Sequence, residues 1–535
     1  MATNIKLKKD EFLLYSFKNL NIDELVDKHI EYHTITTEER KREYIDSINE
    51  FFGNIELSRK LEKELKIIAK GGKKLPNKSK TILYHKFKYL IHIIAKNAYY
   101  IEGSDIAQIR ILASLIHETF NNNDYVQLLY TLAREGIFIK ILPYKVRKSA
   151  RTFYISDKFY NYDNIHCEVS ENYTVKYYID RANKLIDEKY IKTEFDKTYN
   201  KNLSKLKLIN KEGAEKFTNE IIKNTNKKRK KLLYRKSLIK LIDYNSNNFI
   251  RLSKDDNKRI YHVLTNVKRE FKQFLNISYS LDIKNSHPVI FNDFLIRYYN
   301  IKKSNLNIIF NIINSINYNN KLYSYNNIIN NNLTYRYDYE KSLNELIDNI
   351  LQNESNLTDT IPSDVVKYII LTSKGQLWDL MAEKCSDVGL KLFRGKPIGR
   401  DKIKEKMFSE VFYSNKKGLT YKLDNRNVYI DKRFGKVFYD IFPNVYNVVE
   451  YYKPDGEESQ LSNDMMALEA KLFHQILEEL FKYKGLNVIS IHDAILILNN
   501  SDKKYTPELI EDVMKKVYSK YKLFPTVSID AYNPK

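Results

Sequence analysis

Cysteine is scarce in this sequence, with only Cys167 and Cys385 among 535 residues. Two cysteines exclude a disulfide framework and a zinc cluster made of cysteines, and they fit a reducing compartment. Long apolar runs are absent too: none reaches the ~18–20 residues that cross a bilayer, so we expect no membrane partner. The first residues lack the apolar core of a signal peptide. Together these absences favour a cytoplasmic protein, and its compositional bias is compatible with a phage or plasmid origin.

Acidic residues are outnumbered by basic ones, 67 Asp+Glu against 90 Lys+Arg, which gives a formal net charge of +23. With 43% hydrophobic and 13% aromatic residues the chain can bury a core, which excludes wholesale disorder. A positive surplus of this size favours a polyanionic partner, nucleic acid first. The abundance of Lys, Asn, Ile and Tyr is also typical of AT-rich coding sequence, which raises lysine content without selection for binding.

The pattern of apolar and charged residues changes near residue 245. Residues 1–244 are predicted to be mainly helical with basic connectors, whereas residues 245–535 alternate helices with short apolar strands that carry isolated acids. A tract at 304–356, rich in Asn, Ile and Tyr, is either an insertion or a helical subdomain. The basic run Lys227–Lys231 fits either a phosphate-binding surface or a solvated helix face, and the second interpretation is favoured.

Asp282 follows a predicted strand. The chain reads as a strand up to this residue, and Ser286 or His287 can then cap a helix that has Pro288 in its first turn. An aspartate at a strand end is well placed to reach a metal ion. A turn or capping aspartate is the alternative interpretation.

His492 and Asp493 lie between two apolar, β-branched arms at 487–498. A single buried strand would bury an unpaired aspartate at a cost of several kcal/mol. A hairpin bent at this pair removes that cost by placing the acid at its tip, so we predict a hairpin. The preceding segment, 464–481, has apolar residues at helical spacing and is predicted to be a core helix.

Residues 400–413 are predicted to form a helix with one functional stripe. Arg400, Lys404, Phe408 and Phe412 are four residues apart and therefore share a face. Two cations followed by two rings could hold a triphosphate at one end and stack a base at the other. An amphipathic helix with an aromatic core edge is the alternative.

Taken in order, these three segments resemble motifs A, B and C of the polymerase superfamily that joins family A DNA polymerases to single-subunit phage-type RNA polymerases. The resemblance covers residues from about 255 to the C-terminus. Segments 254–262, 434–443 and 524–530 are also similar to parts of that fold. The resemblance implies an α+β right-hand polymerase with an antiparallel palm sheet and helical fingers at about 300–450. It also implies a thumb or template-binding role for residues 1–244.

The resemblance also implies a two-metal site. Asp282, Asp493 and the carbonyl of Ile283 would hold two Mg²⁺ ions, with Mn²⁺ as a substitute. Arg400 and Lys404 would bind the triphosphate, and Lys404 would also protonate the pyrophosphate. Phe408 would pack against the incoming nucleotide, and Phe412 or Tyr413 would lie near the template base. His492 would contact the primer terminus.

Three departures from the DNA-polymerase pattern leave sugar selection open. His287 stands where those enzymes carry a glutamate, Ala494 follows Asp493, and Phe412 replaces a tyrosine. We therefore expect a template-directed polymerase that uses a template, a primer and nucleoside triphosphates, with DNA synthesis slightly favoured. An RNA polymerase or primase of the same superfamily is the first alternative. A non-catalytic nucleic-acid-binding replication protein is the second.

Overall fold

The structure is a computed structural model, mixed in helix and sheet, mostly helical, with small antiparallel sheets. It describes residues 12–33, 43, 46, 77–100, 107–111, 113–120, 125–142, 151–161, 164–247, 253–254, 259–314, 347–348, 351–352, 360–390, 399–414, 416–422, 429–499, 501–502 and 504–532. Most of the Asn-rich tract and part of the 254–262 segment lie outside these residues. The chain divides into two compact units, the first formed by 1–253, 262–276 and 534–535, the second by 254–261 and 277–533.

The first unit combines helices with two antiparallel sheets. One sheet has the order β2-β3-β5-β4 and the other pairs β1 with β6. The strands are β1 (Phe12–Phe17), β2 (Tyr99–Tyr100), β3 (Ala107–Ile111), β4 (Phe138–Leu142), β5 (Arg151–Ile155) and β6 (Ile165–Ser170). The helices are α1 (Ile22–His33), α2 (Asn77–Asn97), α3 (Ala113–Phe120), α4 (Tyr125–Arg134), α5 (Tyr173–Tyr190), α6 (Glu194–Leu203), α7 (Lys211–Asn224) and α8 (Lys228–Asn247).

Helix α2 illustrates how this unit builds its core. Phe87, Leu90, Ile91 and Ile94 recur at helical spacing and are at most 1% exposed, so one stripe of the helix is fully removed from water. The sequence boundary at 244/245 falls within α8, which continues to Asn247. The strands of this unit were not predicted, because they are short and only partly alternating.

The second unit is built around a four-stranded antiparallel sheet of order β12-β13-β9-β14. Its strands are β9 (Ile277–Ile283), β12 (Val488–Ile491), β13 (Ala494–Leu498) and β14 (Val527–Ala531). The predicted hairpin is confirmed, since β12 pairs with β13 from Val488↔Ile497 to Ile491↔Ala494. Small two-stranded sheets join β7 (Ser253–Lys254) with β8 (Ile260–Tyr261) and β10 (Thr420–Lys422) with β11 (Tyr429–Asp431).

The helices of this unit are α9 (Ser286–Tyr298), α10 (Ser363–Lys374), α11 (Leu377–Asp387), α12 (Arg400–Met407), α13 (Arg433–Ile441), α14 (Pro443–Tyr451), α15 (Gln460–Leu480) and α16 (Pro507–Lys520). As predicted, α15 buries an apolar stripe that includes Met465, Leu472 and Ile476, each 0% exposed. Among the described helices, none combines the length and apolar character needed to cross a membrane.

Candidate active site

Asp282 lies one residue before the end of β9, in the middle of the sheet. It pairs with Ala494 of β13 on one side and with Ser528 of β14 on the other. The connection to α9 differs from the prediction: the N-cap is Asn285, in the left-handed conformation with φ of 57°, and its side chain makes no capping bond. Ser286 and His287 are therefore helical residues, and their side chains are available for other contacts.

Asp493 occupies the two-residue turn between β12 and β13, beside the end of β9. The N–H of Ile283 donates to the carbonyl of Asp493 at 3.2 Å. In antiparallel strands the N–H and C=O of one residue point to the same side, so the Ile283 carbonyl also faces the turn. Folding thus brings the backbone of Asp282 and Ile283 beside that of Asp493, which is far along the chain, at one end of the two central strands.

Three acids, the buried Glu469 and the part-exposed Asp282 and Asp493, dominate the electrostatics at this end of the strands. Burial raises the pKa of Tyr518 well above its ordinary value, and the charges of Glu469, Asp493 and Asp282 raise that pKa further. Burial and the negative charge of Glu469 also raise the pKa of Asp493, while Lys404 and His287 counteract them. Three acids therefore act on one phenol, and Lys404 is near enough to Asp493 to compensate part of its charge.

Glu469 was missed by sequence reasoning, which assigned α15 to plain core. It is 3% exposed, accepts a hydrogen bond from Ser286 Oγ at 3.0 Å, faces His287 Nε2 at 3.1 Å and forms a buried ion pair with Arg259. Burial alone would raise the pKa of Glu469, but His287, Arg259 and Ser286 together lower it to about 2. The sequence signal that could have identified Glu469 is its place on the apolar stripe of a helix, four residues after Met465.

His287 links this buried carboxylate to the helix that carries the predicted nucleotide contacts. Its Nδ1 is hydrogen-bonded to the hydroxyl of Tyr413. Its Nε2 faces both the Glu469 carboxylate and Arg259 Nη2, which lies 3.0 Å away, so both ring nitrogens have polar partners. The chain Tyr413–His287–Glu469 fixes the ring of His287 at the edge of the site.

The predicted single stripe is interrupted by a π-helical turn. Helix α12 ends at Met407, residues Phe408–Phe412 form a π-helix, and the N–H of Tyr413 donates to the carbonyl of Phe408 at 2.7 Å. Residues five apart therefore align, and Tyr413 stacks on Phe408 with centroids 5.0 Å apart. Single π-turns inside helices are frequent at functional sites.

This turn moves Phe412 away from the site. Phe412 is 0% exposed and packs against Phe291 and Phe438, with centroids 5.5 and 5.8 Å apart. The expectation that Phe412 stacks near a template base is therefore wrong, because its ring is fully buried in the core. Tyr413, the alternative residue for that position, is half-buried and hydrogen-bonded to His287, and its place near the template base stays a prediction.

The two predicted cations differ in their surroundings. Arg400 is partly exposed and its Nε lies 2.8 Å from Asp379 Oδ1, so a triphosphate would have to replace that carboxylate. Lys404, one turn further on, is exposed. Phe408 contacts His287 and the buried Trp378, with centroids 5.8 and 5.4 Å apart.

His492 precedes Asp493 in the hairpin turn. Its backbone has φ of 51°, and its exposed ring stands edge-on to Tyr261, with centroids 6.1 Å apart. A positive φ is uncommon for a residue with a side chain, and here it bends the tight turn that presents Asp493.

The donor atoms at this end of the strands suit Mg²⁺. Among the described residues, no group of three or more His, Cys, Asp and Glu side chains is arranged to hold a metal. Asp282, Asp493 and the Ile283 carbonyl offer hard oxygens only, and Mg²⁺ is usually bound by one or two carboxylates with water and substrate phosphates as further ligands. The residues present therefore fit this ion by the chemistry of their donor atoms.

Compared with models of known protein families and with curated proteins, the chain matches no family model and no curated sequence.

Proposed function

We propose that this protein is a template-directed nucleic-acid polymerase with a right-hand palm, and that it synthesises DNA. The observation that carries the proposal is that Asp282 lies on the strand next to the hairpin whose turn holds Asp493, where the charge of Lys404 favours the ionised form of Asp493. A protein that only binds nucleic acid has no reason to bring these acids together, because like charges at close range are destabilising without a cation.

In this proposal Asp282, Asp493 and the Ile283 carbonyl hold Mg²⁺. The bound metal would activate the primer 3′-hydroxyl and neutralise charge on the departing pyrophosphate. Lys404 binds the triphosphate as an exposed cation and protonates the pyrophosphate. Arg400 exchanges Asp379 for the triphosphate, and His492 contacts the primer terminus.

Sugar and base contacts fall to the cluster of His287, Phe408 and Tyr413. The stacked rings of Phe408 and Tyr413 form one wall, and His287 is held against that wall by Tyr413 and Glu469. Because both ring nitrogens of His287 are engaged, it has no nitrogen left to bind a ribose 2′-hydroxyl. This supports deoxynucleotides as substrates.

An extension assay tests the proposal. Primed and unprimed templates of DNA or RNA are supplied with Mg²⁺ and either four dNTPs or four rNTPs. Asp282→Asn and Asp493→Asn should each lower incorporation by about 10³-fold or more while retaining binding to labelled template, because the charge that holds the metal is lost and the basic surface is not.

Asp530→Asn is the matched control, since Asp530 is an exposed acid on β14 of the same sheet. It should retain full activity. Wild-type activity in either Asp282→Asn or Asp493→Asn would refute the polymerase proposal. Incorporation of rNTPs alone would replace DNA synthesis by RNA synthesis.

A further inference from the structure

Two backbone carbonyls near Tyr413, those of Val411 and Lys416, each accept from a buried lysine. Lys453 is 0% exposed and its ammonium donates to the carbonyl of Val411. Lys432 is 3% exposed and donates to the carbonyl of Lys416. The last carbonyls of a helix have no intrahelical partner, so Lys453 supplies a donor that the Val411 carbonyl would otherwise lack. The Lys416 carbonyl lies in the loop after the helix and also accepts from Ser414 Oγ at 2.8 Å.

Burying two ammonium groups is costly, and the surroundings only partly compensate. Burial lowers the pKa of Lys453 to about 8 and also lowers that of Lys432, while Glu450 counteracts both shifts. Glu450 Oε1 lies 3.8 Å from Lys453 Nζ, and its other oxygen accepts from the N–H of Gly418 at 2.8 Å. Solvated lysines would avoid this cost, so their burial against two backbone carbonyls calls for a specific role.

Glu410 anchors the same π-turn from its outer side. Its Oε2 accepts from the N–H groups of Phe434 at 2.8 Å and Gly435 at 3.1 Å, at the start of α13. Lys432 immediately precedes that helix and Lys453 follows α14. The π-turn is thus tied by side chains to two helices, and its register does not depend on its own backbone bonds alone.

We propose that Lys453 and Lys432 are positioning residues that hold the π-turn in register, so that Tyr413 and not Phe412 lies against His287. The effect of these lysines on nucleotide selection rests on the proposed polymerase function. Their effect on the backbone of the π-turn does not rest on it, so the two effects can be tested separately.

Hydrogen–deuterium exchange of the full chain tests the backbone role. In Lys453→Met, peptides covering 408–416 should exchange at least about tenfold faster, because the Tyr413 N–H to Phe408 carbonyl bond opens more often. Lys236→Met is the matched control: Lys236 is also buried and donates to the carbonyls of Ala95 and Ala98 at 3.1 and 2.8 Å, but it lies in the first unit. It should leave 408–416 unchanged.

Lys432→Met provides an independent variant if Lys453→Met does not fold. Unchanged exchange at 408–416 in a folded Lys432→Met or Lys453→Met protein would overturn the proposal, whatever the enzyme does. This outcome is separate from failure of the polymerase assay, which would leave the exchange result standing.

Kinetics test the consequence for the site. Lys453→Met and Tyr413→Phe should each raise the KM for nucleotide about tenfold with a smaller change in kcat, and the double variant should be no worse than either single one, because both act through the same hydroxyl. Multiplicative effects in the double variant would mean that Lys453 does not act through Tyr413, and would overturn the proposal.

Discussion

At the scale of single residues, two neighbouring acids have opposite pKa shifts because their partners differ. The pKa of Asp493 is raised, since burial and Glu469 oppose its ionisation more than Lys404 and His287 favour it. The pKa of Glu469 is lowered to about 2, since His287, Arg259 and Ser286 together outweigh its burial. Glu469 is therefore an internally neutralised anion, whereas the surroundings of Asp493 disfavour its charged form.

Glu469 should make stability depend on pH in the acid range. Its folded pKa of about 2 lies below the ordinary 4.5, so the ionised group stabilises the fold above about pH 4.5. That contribution, on the order of 3 kcal/mol, is lost as pH falls from 4.5 towards 2. Denaturant titrations at successive pH values should show wild type losing stability relative to Glu469→Gln over this window.

Glu478→Gln is the control for this titration, because Glu478 is exposed on the same helix α15. Its stability profile should follow wild type. Parallel profiles for wild type and Glu469→Gln would mean that the buried ion pair contributes nothing to the pH dependence.

At the scale of elements, one π-turn decides which of two adjacent aromatic residues reaches the site. Phe412 fills the core between Phe291 and Phe438, and Tyr413 bonds to His287. In an uninterrupted α-helix the four-residue spacing would instead align Phe412 with Phe408. The turn therefore exchanges a core position and a site position without any change of sequence.

Adding a hydroxyl at position 412 should mainly lower stability, whereas removing the hydroxyl at position 413 should mainly change nucleotide preference. Phe412→Tyr buries a hydroxyl in an apolar core and should lower the free energy of unfolding by about 1–3 kcal/mol, with unchanged nucleotide preference. Tyr413→Phe should change the free energy of unfolding less and alter the dNTP-to-rNTP ratio, because His287 loses a partner. Denaturation and competition assays measure both; an altered ratio in Phe412→Tyr alone would contradict this assignment.

At the scale of the whole molecule, the charge of +23 is either a binding surface or a consequence of composition. The run Lys227–Lys231 lies at the beginning of α8, where Lys227, Lys228 and Lys230 are exposed. The fold is compatible with both interpretations of this run, because an exposed first turn can contact either phosphate or water.

Salt dependence of binding separates the two interpretations. If the run contacts phosphates, replacing Lys227, Lys228 and Lys230 by Gln should reduce the slope of log K against log salt by roughly 2–3, at about 0.9 per phosphate contact. A triple replacement of Lys515, Lys516 and Lys520 on α16 removes the same charge and should leave the slope unchanged. Fluorescence anisotropy with labelled DNA measures both, and equal slopes in all three proteins would indicate a solvated helix face.

Local sequence patterns were enough to predict the hairpin and the helix on which the candidate site depends. The β-branched arms around His492 and Asp493 predicted a hairpin, and the apolar spacing of 464–481 predicted a core helix, because period and burial cost are properties of neighbouring residues. Contacts between distant residues were not predictable in this way. The pairing of Glu469 with Arg259, the engagement of Arg400 by Asp379 and the π-turn held by Lys453 all depend on side chains brought together only by folding, and no spacing along the chain encodes them.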